Sequence, residues 1–449
     1  MLSRRSVVAG MAGIPAFGAP SVGRAADRRA AALSAIEHWM AQRRIPGLAV
    51  AMVEEGRTTL VRALGVRSTE TRDPLTPTSL VRVGSVSKAF AAITLLRLVD
   101  AKRLDLDKPL AHYVPEFRVD GRITARQALS HSGGLTDAVA GRPDQGTDAL
   151  RDYVSAMMPA WRQFEPGSVF SYSNPGYAPA ALAVERVGGR PFGEQAQDAL
   201  SELQLSGTFD LGRVLVRPHT VPHERAGAEW APMKRDPALE FLHDAAPGMM
   251  WMSAQDGASW MAWLINGPGP NGVISSAAYK ELLRPVLGVA PFRTRYALGL
   301  QHEDRGGVDV IGHGGSVWGH AAYYETAPSR GCGVALFANS TEVTGRVKLV
   351  QDVMQLLGGV PVDTPEPQPS RADQVGRFEH RAPAGTRTIE ITKNGDALIM
   401  KAQSGTLTPL QGYRADAFGL EDGPRIAFIR NDSGELNGLT SGGRHFARV

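Results

Sequence analysis

Residues 89–99, AFAAITLLRLV, are apolar on nearly every side of the helix that their spacing predicts over about Ser85–Arg103; only Thr94 and Arg97 are polar in that stretch. A helix with no face for water has to be wrapped by other elements. The chain must therefore build a domain large enough to enclose a whole helix. Its 449 residues allow that, with room for two or three domains.

The flanking patterns say what does the wrapping. Ahead of the buried helix, Ala26–Arg43 reads as an amphipathic helix. GLAVAMVEEGRTTLVRALGV then reads as two strands about a Glu-Glu-Gly turn. Residues 120–290 mix helices with Gly/Pro loops. Strand signals return in YALGL, VDVIGHGG, AAYYE and CGVALFAN between about 296 and 340, and a last helix is predicted over about Arg346–Leu357. Strands at both ends with helices between predict an α/β (α+β) fold. An antiparallel sheet is flanked by N- and C-terminal helices, with a helical subdomain inserted. PVDTPEPQPSRADQ, with four prolines between 361 and 369, predicts a stiff linker at 361–373. Beyond it, TRTIEITKNGDALIMK and RIAFIRNDSGELNGLT are hairpin patterns, predicting a small all-β domain over 374–449. The main domain is then 27–360.

The first 26 residues stand apart. They hold Arg4, Arg5 and Arg24 and no acidic residue, with a mild apolar stretch from Val7 to about Ala19 and small residues before Asp27. That is the anatomy of an export signal, and SRRSVV resembles a twin-arginine signal. The expectation is a periplasmic or secreted protein without a stable membrane span. The formal charge of +4 falls mainly on this segment, and the nearly neutral remainder argues against nucleic-acid binding. The single cysteine, Cys332, cannot close an intrachain disulfide and reads as a small buried hydrophobe.

Three short stretches carry chemistry. In VRVGSVSKAF, Ser85 stands three residues before Lys88. Both would face one way in the first turn of the buried helix, where free amides favour negative charge. Desolvation there would make Lys88 a plausible proton acceptor. A capping serine followed by a solvated lysine satisfies the same fragment. In FSYSNPGY, Tyr172 and Asn174 share a loop ahead of Pro175, and a phenol beside an amide suits proton transfer and carbonyl holding. In IGHGGSVWGH, His313 ends an apolar strand, and Gly314 and Gly315 keep its edge clear for a ligand.

S-x-x-K, Y-x-N and an H-G-G box in this order resemble the serine β-lactamase and penicillin-binding-protein superfamily. DPLTPTSLVRVGSVSKAFAAITLLRLVDAKRLDLDKPLAHYVPEF, ITARQALSHSGGLTD and PGMMWMSAQDGASWM look like its class C β-lactamase, D-alanyl-D-alanine carboxypeptidase and esterase branch. The resemblance spans about residues 30–357. The C-terminal domain resembles small β-barrels attached to some members.

The resemblance implies that Ser85 is the acylated nucleophile and Lys88 its activating neighbour. Tyr172 would deprotonate Ser85 or protonate the leaving group. Asn174, His313, Gly314, Gly315 and Ser316 would bind substrate, with the backbone N–H groups of Ser85 and Ser316 as oxyanion hole. It implies acyl transfer to water with no metal or cofactor, on a small ester, a β-lactam or a D-amino-acid peptide. Many lactamases carry Lys where His313 stands. A histidine is only partly charged near neutral pH, which points toward esterases or D-peptidases. No E-x-x-L-N lies between Ser85 and His313, so the class A deacylation glutamate is absent. A non-turnover penicillin-binding sensor is the competing class. Residues 267–272 fit G-x-G-x-x-G only literally, and prolines interrupt the H-x3-H pair of His219 and His223. His131 is expected to be structural, and Trp318 and His320 to line the pocket. Oligomeric state is not written in the sequence.

Overall fold

The computed structural model describes residues 22–137, 148–234, 245–270, 272–341, 343–383, 385–395, 397–419 and 425–449. Most of the N-terminal segment read as an export signal, residues 1–21, lies outside them. A helix already runs over Val22–Arg43.

The centre is an eight-stranded antiparallel sheet. Its spatial order is Arg57–Gly65, Gly47–Glu54, Cys332–Ala338, His320–Ala327, Val308–Val317, Gln301–Arg305, Thr294–Tyr296 and Leu287–Val289. Both ends of the main domain meet in it: Leu48 pairs with Ala338 and Gly47 with Gly65. The Gly47–Glu54 strand shows why its sequence is apolar throughout rather than alternating. Leu48, Val50 and Met52 pack with Ile36, Val350 and Met354 of the two terminal helices. Ala49, Ala51 and Val53 face the opposite core, which holds Phe90, Trp260 and Phe337. A strand buried on both faces has no polar side to show. The hairpin turn uses Glu55 and Gly56, both with positive φ.

The all-apolar helix is present over Ser87–Asp100, preceded by a 3-10 turn at Gly84–Val86. Helices Tyr177–Gly188, Phe192–Glu202 and Ser276–Leu283 surround it. YALGL is not a strand. Only Tyr296 belongs to one, and Ala297–Leu300 form a buried turn. The reason is the helix itself. Gly299 has φ +75°, and a Cβ there would lie 2.6 Å from the Lys88 carbonyl carbon. The segment is apolar because it is pressed against the helix, not because it pairs.

The C-terminal region is a closed eight-stranded barrel from Gly376–His380 to Arg444–Arg448, with Phe378 pairing Arg448 to close it. Phe378, Ile391, Phe428 and Leu439 fill it. Both hairpins read from sequence are there. The closing hairpin, Leu436–Ser441 to Arg444–Arg448, turns through Gly442 and Gly443, both with positive φ.

Candidate active site

Ser85 lies in the 3-10 turn that feeds the buried helix. Neither this turn nor the helix has a side-chain cap hydrogen bond, so Ser85 is not a capping serine. Two contacts fix this turn in place. Val83 N–H donates to Met250 O at 3.0 Å, and the Ser87 hydroxyl accepts from Met250 N–H at 3.0 Å. Lys88, one turn on, is 0% exposed, which excludes the solvated lysine. Its Nζ donates to Ser85 Oγ at 2.9 Å, Asn174 Oδ1 at 2.7 Å and Pro247 O at 2.9 Å. The rings of Tyr172 and Tyr177 stand 4.8 and 5.2 Å from it. Three acceptors and two aromatic faces stand in for the water that burial removed.

Tyr172 OH donates to Ser85 Oγ at 2.7 Å, so the serine oxygen sits between a phenol and an amine. Burial pushes the Tyr172 phenol well above the ordinary tyrosine range, against a smaller pull from the Ser85 contact and the Arg444 charge. Tyr172 is therefore a proton donor near neutral pH. Its loop has no regular structure, yet three successive amides are held. Tyr172 N–H donates to Gly443 O at 2.8 Å, Ser173 N–H to His131 Nδ1 at 3.0 Å and Asn174 N–H to Asp137 Oδ1 at 2.8 Å. His131 is thus a buried acceptor for the loop, with its ring 4.0 Å from that of Tyr172.

The Val308–Val317 strand passes directly over the Ser85 turn. His313 lies mid-strand rather than at a strand end. Two glycines permit the approach. A Cβ at Gly84 would lie 3.0 Å from Ser316 N, and one at Gly315 would lie 3.0 Å from Ser85 N and strike Val83 O. The amides of Ser85 and Ser316 are neighbours for that reason. Gly314 turns to the other face, against Tyr323.

His313 differs from its expectation. It is 6% exposed, with Nε2 2.7 Å from Tyr296 OH and Nδ1 2.6 Å from Gly314 O. Burial, then the Lys88 charge, holds it down to about 3, so the ring is neutral rather than partly charged near pH 7. Both nitrogens are engaged, and the ring offers a substrate neither cation nor free donor. Tyr296, Tyr177, Asp137 and the Pro247 carbonyl belong to this cluster and were not singled out from sequence. Asp137 was within reach, as the last residue of the SHSGGLTD stretch.

Beyond Ser316, a cavity of about 140 Å³ is lined by Arg82, Val214, Met233, Trp251, Trp318 and His320. The Arg82 guanidinium lies 4.3 Å from the Trp318 ring, and His320 Nε2 lies 2.9 Å from Thr220 Oγ1. Elsewhere, burial pushes the Cys332 thiol up to about 12, which suits a packing residue and not a nucleophile. Among the described residues no His, Cys, Asp and Glu cluster could hold a metal ion, and no helix is long and apolar enough to cross a membrane. The His223 ring is taken up by Asn339 O and Thr69 N–H.

The buried histidines set an acid limit on stability. Burial holds His313 and His320 at about 3 and His445 at about 4, whereas an unfolded chain binds those protons near 6.5. Between these values the unfolded state carries more protons, so stability is full above about pH 6.5 and falls as pH drops. Each histidine contributes up to about 1.4 kcal/mol per pH unit in that window. Urea unfolding should show a lower midpoint at pH 5 than at pH 7.5, and His320→Gln should flatten the difference. An unchanged slope in that variant would contradict this origin.

The Beta-lactamase family model matches residues 33–357. Protein flp of Staphylococcus aureus (strain MW2) is 24% identical over 318 residues, covering 68% of this chain; the match spans only 61% of that protein's length. Penicillin-binding protein 4 of Amycolatopsis lactamdurans is 28% identical over 346 residues, covering 72% of this chain and 90% of that protein. The octameric penicillin-binding protein homologue from Pyrococcus abyssi superposes with a TM-score of 0.66 at 20% identity, over 92% of this chain and 95% of that one. That likeness extends the shared fold through the barrel. With a family match over most of its length and a serine, lysine and tyrosine converging at one buried turn, the chain belongs to the β-lactamase family of the serine β-lactamase and penicillin-binding-protein superfamily.

Proposed function

We propose that this protein is an exported serine hydrolase that transfers acyl groups to water through a Ser85 acyl-enzyme, acting on esters or D-amino-acid amides. One observation carries the reading: Ser85 Oγ is held 2.9 Å from Lys88 Nζ and 2.7 Å from Tyr172 OH, beside the paired amides of Ser85 and Ser316. Lys88, an ammonium with three acceptors in the resting site, first releases a proton to solvent; Ser85 Oγ then attacks the substrate carbonyl and its proton passes to Nζ along their contact. The two amides receive the developing oxyanion. The leaving group departs with the proton of Tyr172, the role that its raised pKa favours. The proton gained by Lys88 then returns to the Tyr172 oxygen, so both groups end the acylation step as they stood when Ser85 attacked. Water then attacks the ester, the carboxylic acid leaves and the Ser85 hydroxyl is restored.

Asn174 Oδ1 is committed to Lys88, so its amide N–H groups are the part that can hold a substrate carbonyl. The neutral His313 supports substrates without a carboxylate to be gripped at that position, and so esters or blocked amides over a dedicated β-lactamase activity. The cavity beyond Ser316 is close to the size that accepts a benzene ring, which supports an apolar group on the substrate. Paired Arg4 and Arg5 ahead of an apolar stretch support export.

The test is intact-mass analysis with a p-nitrophenyl ester, a D-alanyl peptide and a cephalosporin, with product release followed in parallel. The expected result is a transient adduct and turnover of at least one substrate. A stable adduct without turnover would favour the penicillin-binding sensor, and no adduct with any of them would sink acyl transfer.

A further inference from the structure

The C-terminal barrel reaches the candidate site. The Gly442–Gly443 turn lies against the Tyr172 loop, where a Cβ at Gly443 would stand 3.3 Å from Tyr172 Cβ. Gly443 O accepts from Tyr172 N–H at 2.8 Å, and His445 N–H donates to Ser171 Oγ at 3.2 Å. The Arg444 guanidinium lies 5.0 Å from the Tyr172 ring and donates through Nε to Asp137 Oδ2 at 3.0 Å. The Asp137 side chain is 7% exposed, and its other oxygen accepts the Asn174 amide at 2.8 Å. One carboxylate therefore joins a barrel cation to the backbone of Asn174, which in turn holds Lys88 Nζ at 2.7 Å.

We propose that Asp137 and Arg444 are a positioning pair through which the barrel sets Tyr172 and Asn174 for acyl transfer. The claim for catalysis rests on the hydrolase reading above; the claim for geometry does not. Two physical points support it. A loop without helix or strand stays in one conformation only if its amides have fixed partners, and two of the three partners here are the barrel itself and a carboxylate tied to it. A part-buried Arg–carboxylate pair, in which Nε and a terminal guanidinium nitrogen both donate to Asp137 Oδ2, resists displacement better than an exposed one. The barrel is then a working part of the site and not a separate module on a linker. Neither residue need touch substrate for this role.

The experiment uses the full chain and two readouts. The first is amide exchange of residues 170–176. Arg444→Ala and Asp137→Asn should speed it at least about 10-fold while barrel peptides far from the turn keep their protection. The second is the Ser85 acylation rate by intact mass with a p-nitrophenyl ester. Each variant should lower the rate constant by about 10- to 100-fold with little change in the half-saturating ester concentration. The double variant should be no worse than the poorer single one, because both break the same link. Arg444→Lys should recover part of the rate, and millimolar methylguanidinium should recover part of it in Arg444→Ala. Should Arg444→Ala fail to fold, Arg444→Lys and Asp137→Asn carry the test. Wild-type exchange at 170–176, independent losses that multiply in the double variant, or a rise in half-saturation alone would overturn the positioning role. Absence of acylation in the wild type would overturn the hydrolase reading, and the exchange data would still judge the pair.

Discussion

Ser85→Ala is expected to lower acyl-substrate turnover by about 10⁴-fold or more and to remove the covalent adduct altogether. The loss is large because no other group can take the nucleophile's place. The Ser85 oxygen is the point where Lys88 Nζ and Tyr172 OH meet, at 2.9 and 2.7 Å. Alanine leaves two donors facing a methyl group. Stability should fall only modestly, by about 1–3 kcal/mol, the range for leaving a buried hydrogen-bonding group without its partner. Far-UV circular dichroism and a thermal melt separate that from unfolding. A folded Ser85→Ala protein with undiminished turnover would end the mechanism.

Lys88→Met should slow acylation by about 10² to 10⁴-fold, the usual range for removing a general acid or base. Methionine matches the lysine stem in length and keeps the helix packing, so the lost function is that of the nitrogen. The change also frees Asn174 Oδ1 and Pro247 O, both bonded to Nζ. A second consequence follows: the Asn174 side chain loses its anchor, and ester binding should weaken as well. Single-turnover acylation at several ester concentrations separates the two effects. If the rate constant held while binding alone weakened, Lys88 would be an anchor for Asn174 and not the base.

The legible part of this fold was the part governed by local pattern. The buried helix could be read because eleven residues admitted no wet face, and the sheet because strand patterns bracketed a helical middle. YALGL misled because an apolar run looks the same whether it pairs or is pressed against a helix. The separation is made by Gly299, whose positive φ brings the turn against Lys88. His313 was placed in the right stretch but given the wrong charge. Its neutrality comes from burial and from Lys88, which is 225 residues away in sequence. Asp137 and Arg444 show the limit most clearly. An Asp after GGLT and an Arg after a Gly-Gly turn are ordinary residues in any window.

The sequence alone determined which groups were available: a serine and lysine one helical turn apart, a tyrosine and asparagine on one loop, and a glycine-lined strand. These are short-range facts, set by helix period and by the conformational freedom of glycine. Only the tertiary structure decided that they converge on one oxygen, that His313 is neutral, and that a barrel beginning near residue 376 reaches the Tyr172 loop through Gly443 and Arg444. Convergence, burial and charge depend on which distant segments exclude water from a site, and no local pattern records that.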